Sequence, residues 1–211
     1  MEYQDFITYE PEQICIVRDQ FKFDLVTDPK YTPILIALRA KPLPIKDIVD
    51  GYNRISDKTR KQTSIYNYLQ DLIKQGLVVK AGQRVITGKT ASEVLYSRCA
   101  KLYFPVILSE SFWKTEESKN VIKKSQHLLS LYTGQEALDE SNLRSFLLDL
   151  FSNAEKEVAD IFEKNPDKVN ELCSDLTFEQ IDRLARLIET LVVLLNPQHY
   201  EESIGKLGIL N

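Results

Sequence analysis

Between Lys61 and Val78 the spacing of apolar residues changes once, and the change constrains the fold more than any other feature of the chain. Ile65, Leu69, Leu72 and Ile73 recur at i, i+4, i+7 and i+8, which puts one apolar stripe on a helix running from about Thr59 to Gln75. Gly76 supplies a stop, and Leu77, Val78 and Val79 follow as an apolar run that reads as extended. The extended segments that follow form a hairpin, which is marginal by itself in water and must pack on the helices.

The elements on either side extend the pattern. Asp28-Pro29 reads as a helix start, with Asp28 as N-cap, Ile34, Leu35, Ala37 and Leu38 as the apolar face, and an end near Arg39. Pro44 opens a second helix with Ile45, Ile48, Val49 and Tyr52, stopped by Gly51 and Asn53, and a polar turn covers 53–58. After Gly76, segments 77–81, 83–87 and 93–98 read as extended about a turn at 88–92, with Val78, Val85, Leu95 and Tyr96 as the residues that pack on the helices. Residues 1–25 stay open between extended segments and one short helix. With only 7 Gly and 8 Pro in 211 residues, turn punctuation is sparse, which argues against an all-β sandwich and for a mostly helical chain.

Beyond about Ala100 the pattern is helical. Residues 102–108 join the two parts. A helix from Thr115 to Gly134 precedes a longer one over 139–164, whose seam is Leu143, Phe146, Leu147, Leu150, Phe151, Ala154, Val158, Ile161 and Phe162. A short helix starts at Asn165-Pro166. Thr177 and Gln180 form a capping-box pattern ahead of a helix that carries Ile181, Leu184, Leu187, Ile188, Leu191, Val192 and Leu195 and ends at Asn196-Pro197. The expected organisation is therefore an N-terminal extension (1–27), a small mixed domain (28–104) and an all-helical C-terminal domain (105–211).

Charge distribution separates these parts. The whole chain carries a net −4, yet residues 30–104 hold 14 basic residues against 5 acidic ones, a net of +9. A basic segment in an otherwise acidic protein points to phosphate neutralisation by that segment. Competing chemistry lacks motifs. GxxxxGKS/T, GxGxxG, HExxH, GxSxG and CxxC are all missing, and His127 and His199 fall at no ligand spacing. No catalytic residue, metal or cofactor is expected, so the chain is not expected to be an enzyme. Cys15, Cys99 and Cys173 read as separate, reduced thiols. No apolar run approaches the roughly 18–20 residues of a membrane span, and the N-terminus lacks the basic and apolar regions of a secretory signal, so a cytoplasmic location is expected with no membrane contact.

The order helix, helix, turn, helix, strand, wing, strand resembles the winged helix-turn-helix domain. The segment KQTSIYNYLQDLIKQGLV over 61–78 is similar to the recognition helix and following strand of prokaryotic regulators of the arsenical-resistance-repressor (ArsR) type, especially archaeal ones, with Leu69-x-x-Leu72-x-x-x-Gly76-Leu77-Val78 as its core. The match covers about 28–104. It implies a mainly α protein, with three helices and a two-stranded β wing followed by the helical domain, acting as a sequence-specific double-stranded-DNA-binding regulator. Repression and homodimerisation through helices flanking the winged domain are implied as well. The family's metal site is not implied, since the helix over 59–75 has neither Cys nor His.

With the stripe of that helix buried, Lys61, Gln62, Thr63, Tyr66, Asn67 and Gln70 lie on its outward face. Gln62, Asn67 and Gln70 suit adenine edges, Lys61 guanine acceptors or phosphate, and Tyr66 phosphate or a thymine methyl. Arg54, Lys58 and Arg60 precede the helix where phosphate contacts set register. In the hairpin, Arg84 and Lys89, with Gln83, are the expected backbone or minor-groove contacts. The alternative is a winged domain used for protein contact within a transcription or replication complex, without reading DNA. Tyr103, Phe104, Phe112 and Trp113 form either core or the lining of an unidentified small-molecule effector site.

Overall fold

The computed structural model describes residues 2–88, 91–106, 112–134 and 139–207. The protein is mainly helical with a small sheet, and it divides into two compact units: residues 1–104 with 167–181, and residues 105–166 with 182–211.

In the first unit the chain runs through β1 (Tyr3–Ile7), β2 (Glu12–Val17), α1 (Gln20–Thr27), α2 (Thr32–Ala37), β3 (Leu43–Pro44), α3 (Ile45–Ile55), α4 (Gln62–Lys74), β4 (Val78–Ile86), β5 (Glu93–Arg98) and β6 (Ala100–Pro105). From α2 to β5 the elements run helix, short strand, helix, helix, strand, strand. Ile34, Leu38, Ile48, Tyr52, Ile65, Leu69, Leu72, Leu77, Val78 and Leu95 are all buried and form the core beneath the hairpin. The apolar stripe of α4 thus meets the strand that follows it.

Residues 1–27 contribute two strands and a helix to this unit. The four-stranded sheet has the order β1-β4-β5-β3, with β1 antiparallel to β4 (Tyr3 opposite Ile86) and β3 antiparallel to β5 (Leu43 opposite Tyr96). The hairpin is therefore paired on both flanks, which removes the open edges a two-stranded wing would present. Gly82 makes the first pairing possible: its φ is +148°, and a Cβ there would stand 2.0 Å from the carbonyl oxygen of Phe6. Strands β2 and β6 form a second, two-stranded sheet, so the first part of the expected connector (102–108) is a strand, while 107–108 lie outside the described residues.

Two expected signals act differently from their local reading. Asp28 does not cap α2: its N–H closes α1 on the Asp24 carbonyl and its carboxylate accepts from the Lys30 N–H, while α2 begins at Thr32 with Pro33 in its first turn. Gly51 does not stop the second helix, which continues to Ile55; a Cβ at Gly51 would stand 2.8 Å from the Ala37 Cβ, so glycine is what allows α2 and α3 to approach. Residues 167–181 join the unit through hydrogen bonds, from the Gln13 N–H to Asn170 (3.1 Å) and from Lys101 Nζ to the carbonyls of Ser174 and Leu176 (3.0 and 3.1 Å).

The second unit holds α5 (Glu116–Thr133), α6 (Glu140–Lys164), most of α8 and α9 (Glu201–Lys206). The short α7 (Pro166–Leu172) lies almost wholly in the first unit, as does the opening turn of α8 (Phe178–Leu195). Local chemistry fixes the helix ends. Thr115 accepts from the Ser118 N–H, Gly134 closes α5 with φ +69°, and Asp139 accepts from the Ser141 hydroxyl and from the N–H groups of Asn142 and Ser141, bonds that hold its carboxyl below the usual range. Thr177 and Gln180 exchange the two bonds of a capping box at α8. The buried face of α6 is set by Leu143, Ser152, Ala154, Glu155, Val158, Ala159 and Phe162. Phe151 and Ile161, expected in the seam, are exposed instead.

Candidate nucleic-acid interface

Burying Ile65, Leu69 and Leu72 completely leaves the other face of α4 to solvent, and Gln62, Thr63, Tyr66 and Asn67 are all exposed there, with Gln70 half-buried one turn further on. Tyr68 belongs to the opposite side. Its ring packs 5.8 Å from Tyr31 and 6.4 Å from Tyr52, and Lys30 Nζ lies 4.6 Å from its centroid. Tyr66 is thus the aromatic residue that α4 offers outward, and Tyr68 helps close the core.

The turn before α4 is built by side chains that accept and donate to its backbone. Asn53 accepts from the Arg60 N–H (2.7 Å) and returns a bond from its own amide to the Arg60 carbonyl (3.2 Å). Ser56 Oγ donates to the Lys58 carbonyl and accepts from the Lys58 N–H. These bonds fix the path of 56–60 and with it the stations of Lys58, Arg60 and Lys61, all exposed. Asn53 is a positioning residue that the sequence offers only as a helix stop. Its spacing of seven residues from Arg60 is no recognised cap pattern.

Lys61 occupies the N-cap position of α4 with no side chain capping the first turn. The leading N–H groups of the helix and the positive end of its dipole accordingly face the same region as Arg60 and Lys61. Arg54, in the last turn of α3, is exposed and donates from Nε to the Asp50 carbonyl at 3.2 Å. Among the described residues none of Arg54, Lys58, Arg60 and Lys61 is held by a carboxylate, though Asp57 sits beside them in the turn. The structure therefore gathers Arg54, Lys58, Arg60, Lys61, Gln62, Thr63, Tyr66, Asn67 and Gln70 on one continuous stretch: the end of α3, the turn and the first half of α4.

Arg84 does not join them, which corrects the expectation for the hairpin. It is 5% exposed and its guanidinium is consumed inside the unit: Nε and Nη2 donate to the Asp5 carboxylate (2.7 and 2.9 Å), Nη1 donates to Asp47 (2.7 Å), and the Tyr3 ring lies 4.0 Å from Cζ. Arg84 holds the Asp5 carboxyl below its usual value, and the two carboxylates raise the pKa of Arg84 in turn. The cluster ties β1, β4 and the first turn of α3 together. Gln83 stays exposed and accepts from Ser92 Oγ, and Lys89 lies outside the described residues.

The aromatic residues considered for an effector are divided between the two units. Tyr103 and Phe104 are buried in the first unit. In the second, Phe112 meets Trp113 edge-on, and Trp113 stacks on Phe151 with centroids 6.0 Å apart. Among the described residues no group of three or more His, Cys, Asp and Glu side chains is placed to hold a metal ion, and no helix is long and apolar enough to cross a membrane.

No family model matches the chain, and no curated protein matches it. Among solved structures, it is similar to Bacillus subtilis PadR in complex with operator DNA, with 16% identity over 86% of this chain and 98% of that one, at a TM-score of 0.28.

Proposed function

We propose that the first unit is a winged-helix domain that binds duplex DNA, with the first half of α4 in the major groove and Arg54, Lys58, Arg60 and Lys61 on the flanking phosphates. The observation that carries this reading is the coincidence, on one 17-residue stretch, of four exposed cations with an outward face of Gln62, Thr63, Tyr66, Asn67 and Gln70. Phosphate contacts alone would be sequence-independent; amide side chains on the same helix supply paired donors and acceptors for base edges. The chain acts as a transcriptional regulator, and as a repressor by occluding promoter DNA, as the resemblance implies.

The second unit supplies a twofold partner surface. Leu128, Leu131 and Tyr132 on α5 and Leu187, Leu194 and Leu195 on α8 are well exposed and would supply its apolar contacts. A homodimer would set two α4 helices against successive major grooves. Sedimentation should then give about twice the 24.4 kDa of one chain.

Binding to a random duplex across a salt series tests the whole reading. Four phosphate contacts correspond to a slope of about −3.6 per protomer in log K against log salt, and about −7 for a dimer. Changing Arg60 and Lys61 to Ala should flatten it by about 1.8 per protomer, and Lys164→Ala, in the second unit, should leave it unchanged. Absence of measurable binding at low salt would transfer the outward face of α4 to a protein partner.

A further inference from the structure

Beside the turn that carries Lys58 and Arg60, the first unit holds a cavity of about 530 Å³, within the size range of small-molecule sites. Its two walls differ in chemistry. The end of α1 and the start of α2 form one, on which Pro29, Pro33 and Ile36 present an aliphatic surface, Pro33 being buried and Ile36 half-buried. The last residues of α3 and the turn form the other, with Tyr52, Lys58 and Arg60. Lys30 adds a third cation from the first wall, its Nζ held by Tyr31 Oη at 2.9 Å, and Asp57 is the one carboxylate on the lining. An aliphatic wall facing an excess of positive charge is complementary to an organic anion, rather than to a neutral molecule or a bare inorganic ion.

The hydroxyl groups of the lining narrow the choice. Thr27 Oγ1 donates to the Phe23 carbonyl (2.8 Å), Thr32 Oγ1 to the Asp28 carbonyl (3.0 Å) and Ser56 Oγ to the Lys58 carbonyl (3.2 Å), so the fold takes all three protons. Tyr52 differs. It is 2% exposed, yet its hydroxyl has no hydrogen-bond partner among the described residues. A donor on an otherwise buried side chain that the fold leaves unpaired is a ready partner for an acceptor seated in the cavity. On the same wall the Arg60 backbone is fixed by both bonds to Asn53, while its guanidinium is exposed and held by no carboxylate among the described residues. A planar fork of donors with a hydroxyl beside it on the same wall suits a carboxylate.

We propose that this cavity is a ligand site for a small carboxylate with an aliphatic body, the body lying on Pro29, Pro33 and Ile36 and the carboxylate taken by the Tyr52 hydroxyl, Lys58 and Arg60. The site stands on its own lining. Its consequence rests on the DNA reading above, because Lys58 and Arg60 are two of the four cations assigned there to phosphate. A side chain drawn onto a carboxylate in the cavity is withdrawn from the duplex, so the ligand opposes DNA binding, and DNA weakens the ligand by the same factor.

The experiment titrates the full chain with sodium octanoate, without DNA, and follows backbone amide shifts by NMR. Expected is saturable binding at one site per chain with a Kd at or below about 1 mM, with the largest shifts at Ile36, Tyr52 and Ser56. Acetate, which has the charge without the body, and octanol, which has the body without the charge, should each bind at least about tenfold more weakly. Tyr52→Phe, which keeps the ring, should weaken octanoate about tenfold, and Arg60→Ala by a similar factor; Lys74→Ala, an exposed cation outside the cavity, should change nothing. In a second arm, octanoate at ten times its Kd should weaken binding to a random duplex about tenfold relative to sodium acetate at the same concentration. Absence of saturable binding, shifts confined to the second unit, octanol binding as tightly as octanoate, or an unaltered Kd in Arg60→Ala would each overturn the site. The parent shift map and Arg60→Ala decide it even if Tyr52→Phe fails to fold. Octanoate bound with duplex affinity unchanged would overturn the competition, whereas a chain that binds octanoate but no duplex would overturn the DNA reading and leave the site standing.

Discussion

Replacing Arg84 with Met separates a structural cation from a DNA-contacting one. The substitution keeps an unbranched apolar stem and removes three charge-assisted hydrogen bonds to Asp5 and Asp47 and the contact on the Tyr3 ring. Bonds to charged groups are worth about 1.5–3 kcal/mol each in isolation, but the Asp5 and Asp47 side chains are 22% and 43% exposed, so water replaces part of what is lost. The net cost should be about 3 kcal/mol, at the low end for breaking a buried ion pair. For a chain of 211 residues that corresponds to a fall in Tm of about 9 °C. Acid supplies a second signature. Arg84 lowers the Asp5 pKa in the folded state, so Asp5 contributes stability that is present above the unfolded carboxylate pKa of about 3.9 and is lost as pH falls through the lowered folded value. The variant lacks that contribution, so the gap between the two proteins should be full at pH 7 and narrower at pH 3. Thermal melts at both pH values, with the salt slope of DNA binding measured below the transition, read all three quantities. A variant that melts within 2 °C of the parent yet flattens the salt slope by about 0.9 would refute this account and return Arg84 to the DNA interface.

Two further substitutions test packing and burial. Gly51→Ala should lose about 1 kcal/mol despite alanine's better helix propensity, because its Cβ would stand 2.8 Å from that of Ala37; Ala37→Gly in the same chain should restore the loss, as denaturant midpoints would report. Glu189→Gln should raise stability at pH 7 by no more than about 1 kcal/mol, because burial raises the Glu189 pKa and makes its carboxylate a cost. The folded pKa being the higher one, the stability this carboxyl contributes is present below the unfolded value and lost as pH rises, so the benefit should vanish by pH 4; an equal benefit at pH 4 and pH 7 would contradict the assignment.

What the sequence made legible follows how far each signal reaches along the chain. Thr115, Asp139, Thr177 and Gly134 act within one turn of their own positions, so α5, α6 and α8 begin and end where those residues place them. The apolar stripe of α4 is equally local, and with it the list of residues on its outward face. Signals whose meaning depends on a distant segment fared differently. Gly51 reads as a helix stop until Ala37 is brought against it, and Phe151 reads as seam until the facing helices decide which side of α6 is covered. The β-branched run at 13–17 suggests β2 without deciding it, and what β1, β2 and β6 pair with was not legible, because their partners are far away in sequence. Arg84 is the sharpest case: on an alternating strand it counts as an outward cation, and its true partner Asp5 lies 79 residues away.

That distance dependence changes what the net +9 of residues 30–104 means. Several of its cations have partners within the unit. Arg84 is held by Asp5 and Asp47, Arg98 stacks on Tyr103 and Phe178, Lys101 donates to the carbonyls of Ser174 and Leu176, Lys30 sits on the rings of Tyr31 and Tyr68, and Lys46 pairs with Glu93. Lys74 and Lys80 are exposed, but at the far end of α4 and on β4. The turn and the start of α4 keep Arg54, Lys58, Arg60 and Lys61, with Asp57 set against them. A composition argument would give the segment a salt dependence set by its net charge, and geometry gives one set by these four side chains. The two differ by more than a factor of two in slope, so a single salt series shows whether DNA meets this unit as a diffuse positive surface or through one helix and the turn that precedes it.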